Sequence, residues 1–123
     1  VRTIGEVATE LGVEPHVLRH WERVGALEVD RDANGHRTYD ESALDRARTV
    51  LKLRRVGLSL PEVSAAMAPD KATAQATVLA KVAALEEEIT RRRQAITFLR
   101  HTAECRHRYL DDCPDCAGFV RQR

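Results

Sequence analysis

Aromatic side chains are scarce in this sequence, at 4% of 123 residues. A core without aromatic anchors is filled by Leu, Val and Ala, which suits packed helices. Net charge is also small, +1 at pH 7; the chain is no polycation, and affinity for a polyanion has to come from where the charges stand. No segment has the apolar length of a membrane span or a signal peptide, so the expected location is the cytoplasm and no membrane partner is expected. Cysteine is absent before residue 105, and there are three in all. An odd, clustered set in a reducing compartment points to free thiols or metal ligands rather than a disulfide framework. No nucleophile–base pair, phosphate loop or paired-acid constellation is present, so an enzyme is not expected. The length leaves room for one compact core and one extended element.

The most informative stretch runs from Leu18 to Tyr39, LRHWERVGALEVDRDANGHRTY. Asn34-Gly35 between extended residues signals a hairpin, with both central residues expected at positive φ in a type I′ turn. The resulting two-stranded ribbon presents His36, Arg37 and Tyr39 beside a helix carrying Arg19, His20 and Trp21. Cations and hydrogen-bonding rings on a helix and its neighbouring wing form a surface suited to a nucleic-acid backbone. Ten of the first 57 residues are Arg or Lys, and they crowd into 19–37 and 46–55.

The flanking residues supply helix punctuation. Thr3 and Glu6 have capping-box spacing and start a helix of about two turns that buries Ile4, Val7 and Leu11 and stops at Gly12. Glu14-Pro15 opens a second helix, with Val17, Leu18 and Trp21 or Val24 inward and His16, Arg19, His20 and Arg23 outside. Two short helices about a glycine turn make a helix-turn-helix. Asp40 caps a longer helix to about Val56, with Leu44, Ala47, Val50, Leu51 and Arg54 at helical spacing. Ser59 and Glu62 form a second capping box, before a short helix with Leu60, Val63, Ala66 and Met67 on its apolar side.

From about Ala72 to Glu104 there is neither Gly nor Pro. Val78, Val82, Leu85, Ile89, Ile96, Leu99 and Ala103 recur at heptad spacing, with Arg92 as the exception. At about 1.5 Å per residue this helix is roughly 50 Å long, and its stripe calls for a partner, a second copy being the natural one. Beyond it, Cys105, Cys113 and Cys116 lie close to His101 and His107 in sequence. Thiolates with imidazole suit tetrahedral zinc, and His101 and Cys105, four apart, share a helix face. The readings of the tail are a zinc-type site of the three cysteines with one histidine, a copper(I) or other soft-metal site, a redox or electrophile sensor, or ordinary cysteines in a capping tail.

Residues 3 to 68 resemble the DNA-binding domain of the MerR family of bacterial transcription regulators, through IGEVATELGVEPHVLRHWERVGAL and NGHRTYDESALDRARTVLKLRRVGLSLPEV. The resemblance implies a mainly α fold: a winged helix-turn-helix domain over 1–69, a dimerisation helix over 70–104 forming an antiparallel coiled coil, and a Cys-rich effector tail over 105–123. It also implies a homodimer on a palindromic operator in double-stranded promoter DNA, distorting that DNA for RNA polymerase. By position, it implies DNA contacts from Arg19, Trp21, His36, Arg37 and Arg54, with His16, His20 and Tyr39 beside them. The tail is similar to the metal-sensing branch, although Asp70–Thr73, where such sensors add a cysteine, has no thiol. The alternative is an effector-independent architectural or repressor protein, with a structural zinc or no metal in its tail.

Overall fold

The structure is a computed structural model and describes residues 1–108 and 112–122. Its elements in chain order are β1 (Arg2–Thr3), α1 (Ile4–Leu11), α2 (Pro15–Arg23), β2 (Asp30–Arg31), β3 (Arg37–Tyr39), α3 (Glu41–Arg55), α4 (Leu60–Ala66), α5 (Lys71–Glu104) and α6 (Pro114–Arg121). The chain divides into two units, Val1–Leu79 and Ala80–Arg123, and the division falls within α5.

In the first unit the helix ends follow the punctuation. The hydroxyl of Thr3 accepts from the Glu6 amide at 3.2 Å, and the Glu6 carboxylate accepts from the Thr3 amide at 3.1 Å. Ser59 and Glu62 do the same for α4, and Asp40 Oδ1 caps α3 by accepting from the Ala43 amide at 2.8 Å. Each closes amide groups that the first helical turn leaves without partners. Gly12 ends α1 in the left-handed region, φ 70°, which a side chain would resist. The turn it makes folds α2 back so that Leu18 and Trp21 meet Val7, Leu27, Leu44, Ala47, Val50 and Val63 in one core. Ile4 and Leu11 pack at its margin, while Val24 is exposed and Trp21 takes the inward position.

The wing differs from the sequence expectation in two respects. No non-glycine residue in the described chain has positive φ, Asn34 included, so the turn is not type I′. The Gly35 amide donates to the Asp32 carbonyl at 3.0 Å, and Gly35 alone is left-handed, φ 80°. Asp32 Oδ1 accepts from the amides of Asn34 and His36, both at 2.9 Å. That fixes a longer loop in which one glycine supplies the positive φ, and these amides hold the Asp32 carboxyl below its usual range. The ribbon is also three-stranded, in the order β1-β3-β2, because Arg2 pairs with Tyr39 and Thr3 with Thr38. A two-residue strand ahead of a helix cap has no period to read.

In α5, the heptad residues Val78, Val82, Leu85, Ile89, Ile96 and Leu99 are 37–60% exposed. A heptad stripe drifts by about 20° per repeat on a straight helix, so a partner must follow it by supercoiling. No described helix is long and apolar enough to cross a membrane.

Candidate metal centre and nucleic-acid interface

Within the second unit, α5 ends at Glu104 and α6 begins at Pro114, a proline at a first-turn position where its missing amide hydrogen costs nothing. The helix α6 was not foreseen in the sequence, where the tail was read only through its cysteines and histidines; Pro114 at its start is the signal that could have revealed it. Cys113 stands at the N-cap of α6 and Cys116 in its first turn, while His101 lies in the last turn of α5 and Cys105 directly after it, its amide donating to the His101 carbonyl at 2.7 Å. The ligand atoms of His101, Cys105, Cys113 and Cys116 all lie within 4.8 Å of one another. In a tetrahedral site with metal–sulfur bonds of about 2.3 Å, neighbouring ligand atoms sit about 3.8 Å apart. The four side chains therefore fit one ion with small adjustments of rotamer. Of the two histidines offered by the sequence, His101 belongs to this set and His107 does not. The His107 ring lies against Cys105 instead, Nδ1 to Sγ 3.5 Å, and its amide donates to the same sulfur at 3.4 Å.

The electrostatics of the four differ. His101 Nε2 and Cys113 Sγ are 3.0 Å apart. The Cys116 amide and then the His101 ring hold the Cys113 thiol down to about 6, so it is a thiolate at neutral pH. The same contact raises the pKa of His101. Burial, with the neighbouring Cys113 sulfur, pushes Cys116 up to about 11. A cation entering this site binds thiolates and a neutral imidazole, so its uptake releases protons and is favoured as pH rises.

In the first unit the candidate contact residues separate into two groups. His16, Arg19, His20 and Arg23 line one exposed face of α2, at i, i+3, i+4 and i+7. His36 is exposed at the wing tip, its ring 3.8 Å from Asp32. Trp21, offered by the sequence both as an inward residue and as a DNA contact, and Tyr39, expected beside the contacts, are buried in the core with Leu27 and Leu44. Arg37, which had no evident structural task in the sequence, is bound through Nε to the Glu22 carboxylate and is only 22% exposed. It ties the wing to α2. Arg54 donates to the Leu58 carbonyl at 2.8 Å, closing the turn after α3.

Arg2, Arg31, Arg46 and Arg48 are engaged as well, with Glu10 and Glu41, Glu22 and the Gly35 carbonyl, the Ala26 carbonyl, and Glu10 and Asp45. Among the described residues, this leaves Arg19, Arg23, Lys52 and Arg55 as the cations of the first 57 with no ion pair or side-chain hydrogen bond. Arg23, Lys52 and Arg55 were outside the site drawn from sequence. Only the ion pairs, which span up to 39 positions in the chain, reveal which cations are free.

The buried phenol oxygen of Tyr39 has no hydrogen-bond partner, and burial raises its pKa. Tyr39→Phe is therefore expected to leave thermal stability unchanged or raised by about 1 kcal/mol, and DNA affinity unaltered. A loss of DNA affinity in a normally stable variant would return the hydroxyl to the contact surface.

Comparison with known proteins agrees with this architecture. Residues 2–69 match the family model described as MerR HTH family regulatory protein. An uncharacterised HTH-type transcriptional regulator of Pseudomonas aeruginosa is 31% identical over 119 residues, 90% of each chain. The HTH-type transcriptional regulator HmrR of Rhizobium leguminosarum bv. viciae is 30% identical, over 90% of this chain and 92% of that one. Among solved structures, a lead(II) complex of a transcription regulator from Ralstonia metallidurans superposes with a TM-score of 0.71 at 21% identity, covering 97% of this chain and 99% of the other.

Proposed function

The chain belongs to the MerR family of helix-turn-helix regulatory proteins, and from that premise we propose a metal-responsive transcription regulator acting as a homodimer on a palindromic promoter operator. The observation that carries the sensory part is the four-donor cluster of His101, Cys105, Cys113 and Cys116 at the junction of α5 and α6. Three sulfurs and one imidazole nitrogen select a soft or borderline ion, zinc being the first to try. Bound there, a divalent cation supplies a crosslink between the end of α5 and the start of α6. His101 and Cys105 are presented from the end of α5, and the N-cap position of α6 keeps Cys113 ionised for the ion.

The DNA-facing surface is assigned to the exposed face of α2, with His16 and His20 toward base edges and Arg19 and Arg23 toward phosphates. His36 at the wing tip and Lys52 and Arg55 on α3 extend it along the backbone. Arg37 and Arg54 act by holding the wing and the turn after α3, and Trp21 and Tyr39 by filling the core beneath. The exposed heptad stripe of α5 pairs two copies in an antiparallel coiled coil. Untwisting of the promoter toward RNA polymerase is the output of the switch.

Arg19→Ala should weaken binding to every DNA sequence and reduce the slope of log affinity against log salt by about 0.9, one phosphate contact. A titration across salt concentrations checks this, and an unchanged slope removes Arg19 from the phosphate contacts. The response itself is tested by transcription in vitro from a promoter the protein protects, with zinc added or chelated. Output that changes with zinc supports the sensor; output indifferent to zinc, with the ion still bound, makes the site a structural one and the protein a constitutive repressor.

A further inference from the structure

Between the last turns of α5 and α6 lies a groove of about 770 Å³ that shares only His101 with the metal cluster. Phe98 and Phe119 stack in its wall, ring centroids 4.2 Å apart and planes 10° from parallel. Arg93 stands at one end and His101 with Asp115 at the other. Eleven residues of helix separate Thr90 from His101, so the groove runs about 16 Å along α5. Its lining residues on α5 point, on average, roughly 130° around the helix from Val82, Leu85, Ile89, Ile96 and Leu99. Pairing of the heptad stripe therefore leaves Gln94, Phe98 and His101 open, while Arg93, about 60° from the stripe, stands at the edge of the seam.

The two charges at the ends are not equivalent. Asp115 lies in the first turn of α6, where the helix N-terminus favours an anion. Arg93 is exposed and makes no ion pair or side-chain hydrogen bond among the described residues. A volume of several hundred Å³ with an aromatic wall is the scale of small-molecule sites. We propose that the groove between α5 and α6 binds a small aromatic anion, its ring extending the Phe98–Phe119 stack and its carboxylate or sulfonate on Arg93. Arg93 and Phe98 both line the groove, five residues apart on α5, so the acid group has to extend from the stacked ring along the groove to the guanidinium. His101 borders both this groove and the metal cluster, so an occupant lies one side chain from the ion. The ligand site itself does not depend on the cluster holding metal.

The test uses the full chain and the fluorescent arylsulfonate 8-anilino-1-naphthalenesulfonate. Saturable binding of one probe per chain is expected, weakened about tenfold or more in Arg93→Gln, which loses one charge-assisted contact. Nothing lies within 4 Å of a Cβ built on Gly118, so Gly118→Leu places its side chain in the groove and should abolish binding. Should that variant misfold, Arg93→Gln decides, along with amide shifts on adding 2-naphthalenesulfonate to the parent protein. Shifts confined to 90–101 and 114–122 support the groove. Unsaturable fluorescence, equal affinity in Arg93→Gln, or shifts centred on 78–89 would overturn it, the last placing the probe on the heptad stripe.

Discussion

Cys113→Ser is expected to weaken zinc binding by about 100-fold or more while leaving DNA binding by the metal-free protein unchanged. Serine keeps the size of the side chain but replaces a thiolate, ionised near neutral pH beside His101 and the Cys116 amide, with a hydroxyl that stays protonated. The remaining His101, Cys105 and Cys116 then supply three donors where four closed the shell. The core that orders α2 and the wing is built from residues between Val7 and Val63 and takes nothing from the cluster, so it survives the change. Competition against a chromophoric chelator measures the affinity, and a gel shift on the chelated protein measures DNA binding. His107→Ala is the companion variant: with its ring on Cys105 rather than among the four donors, it should cost far less. Full zinc affinity in Cys113→Ser would sink the four-donor assignment.

The second large effect is on assembly. Leu85→Glu combined with Ile89→Glu should convert the protein to monomers at micromolar concentration in sedimentation velocity. Burying a Leu or Ile side chain contributes about 1.5–3 kcal/mol. Leu85 is 37% and Ile89 49% exposed in the single chain, so about two fifths of that gain is available on pairing. Four such side chains in a dimer amount to about 2.5–5 kcal/mol, roughly two to four orders of magnitude in dissociation constant. Four carboxylates in the seam add desolvation and mutual repulsion. A dimer of undiminished stability would place the interface on another face of the helix.

What could be read in advance was whatever has a period or a cap. Thr3 with Glu6, Ser59 with Glu62, Asp40 before Ala43 and the glycine at 12 announce helix ends through contacts three or four residues apart, and α5 announces itself by an unbroken repeat. The strand β1 was invisible because two residues carry no alternation. The turn at Asn34-Gly35 was recognised as a hairpin, but its type depends on Asp32 gathering two amides, a choice the dipeptide does not encode. The cysteine cluster was visible as composition, and His101 with Cys105 as one helix face; setting His107 aside required the fold of the tail, which brings Cys113 and Cys116 to His101 and lays the His107 ring against Cys105 instead. The hardest step was the cations. Arg37 and Arg19 look equally available in one dimension, and only the fold gives the first a carboxylate partner and leaves the second without one.

Arg92 interrupts the apolar stripe of α5, and its guanidinium is held by Glu88 one turn earlier, Nε to Oε1 3.1 Å. A seam of aliphatic residues alone could slide by seven positions at little cost, since every repeat resembles the next. A single charged position removes that freedom: each slipped alignment sets an arginine against methyl groups, and only the alignment that gives both copies of Arg92 water or a carboxylate is spared the penalty. In the proposed dimer the interruption acts as an index mark, exchanging some adhesive strength for one defined overlap between the two rods and deterring mismatched rods from other proteins of similar build.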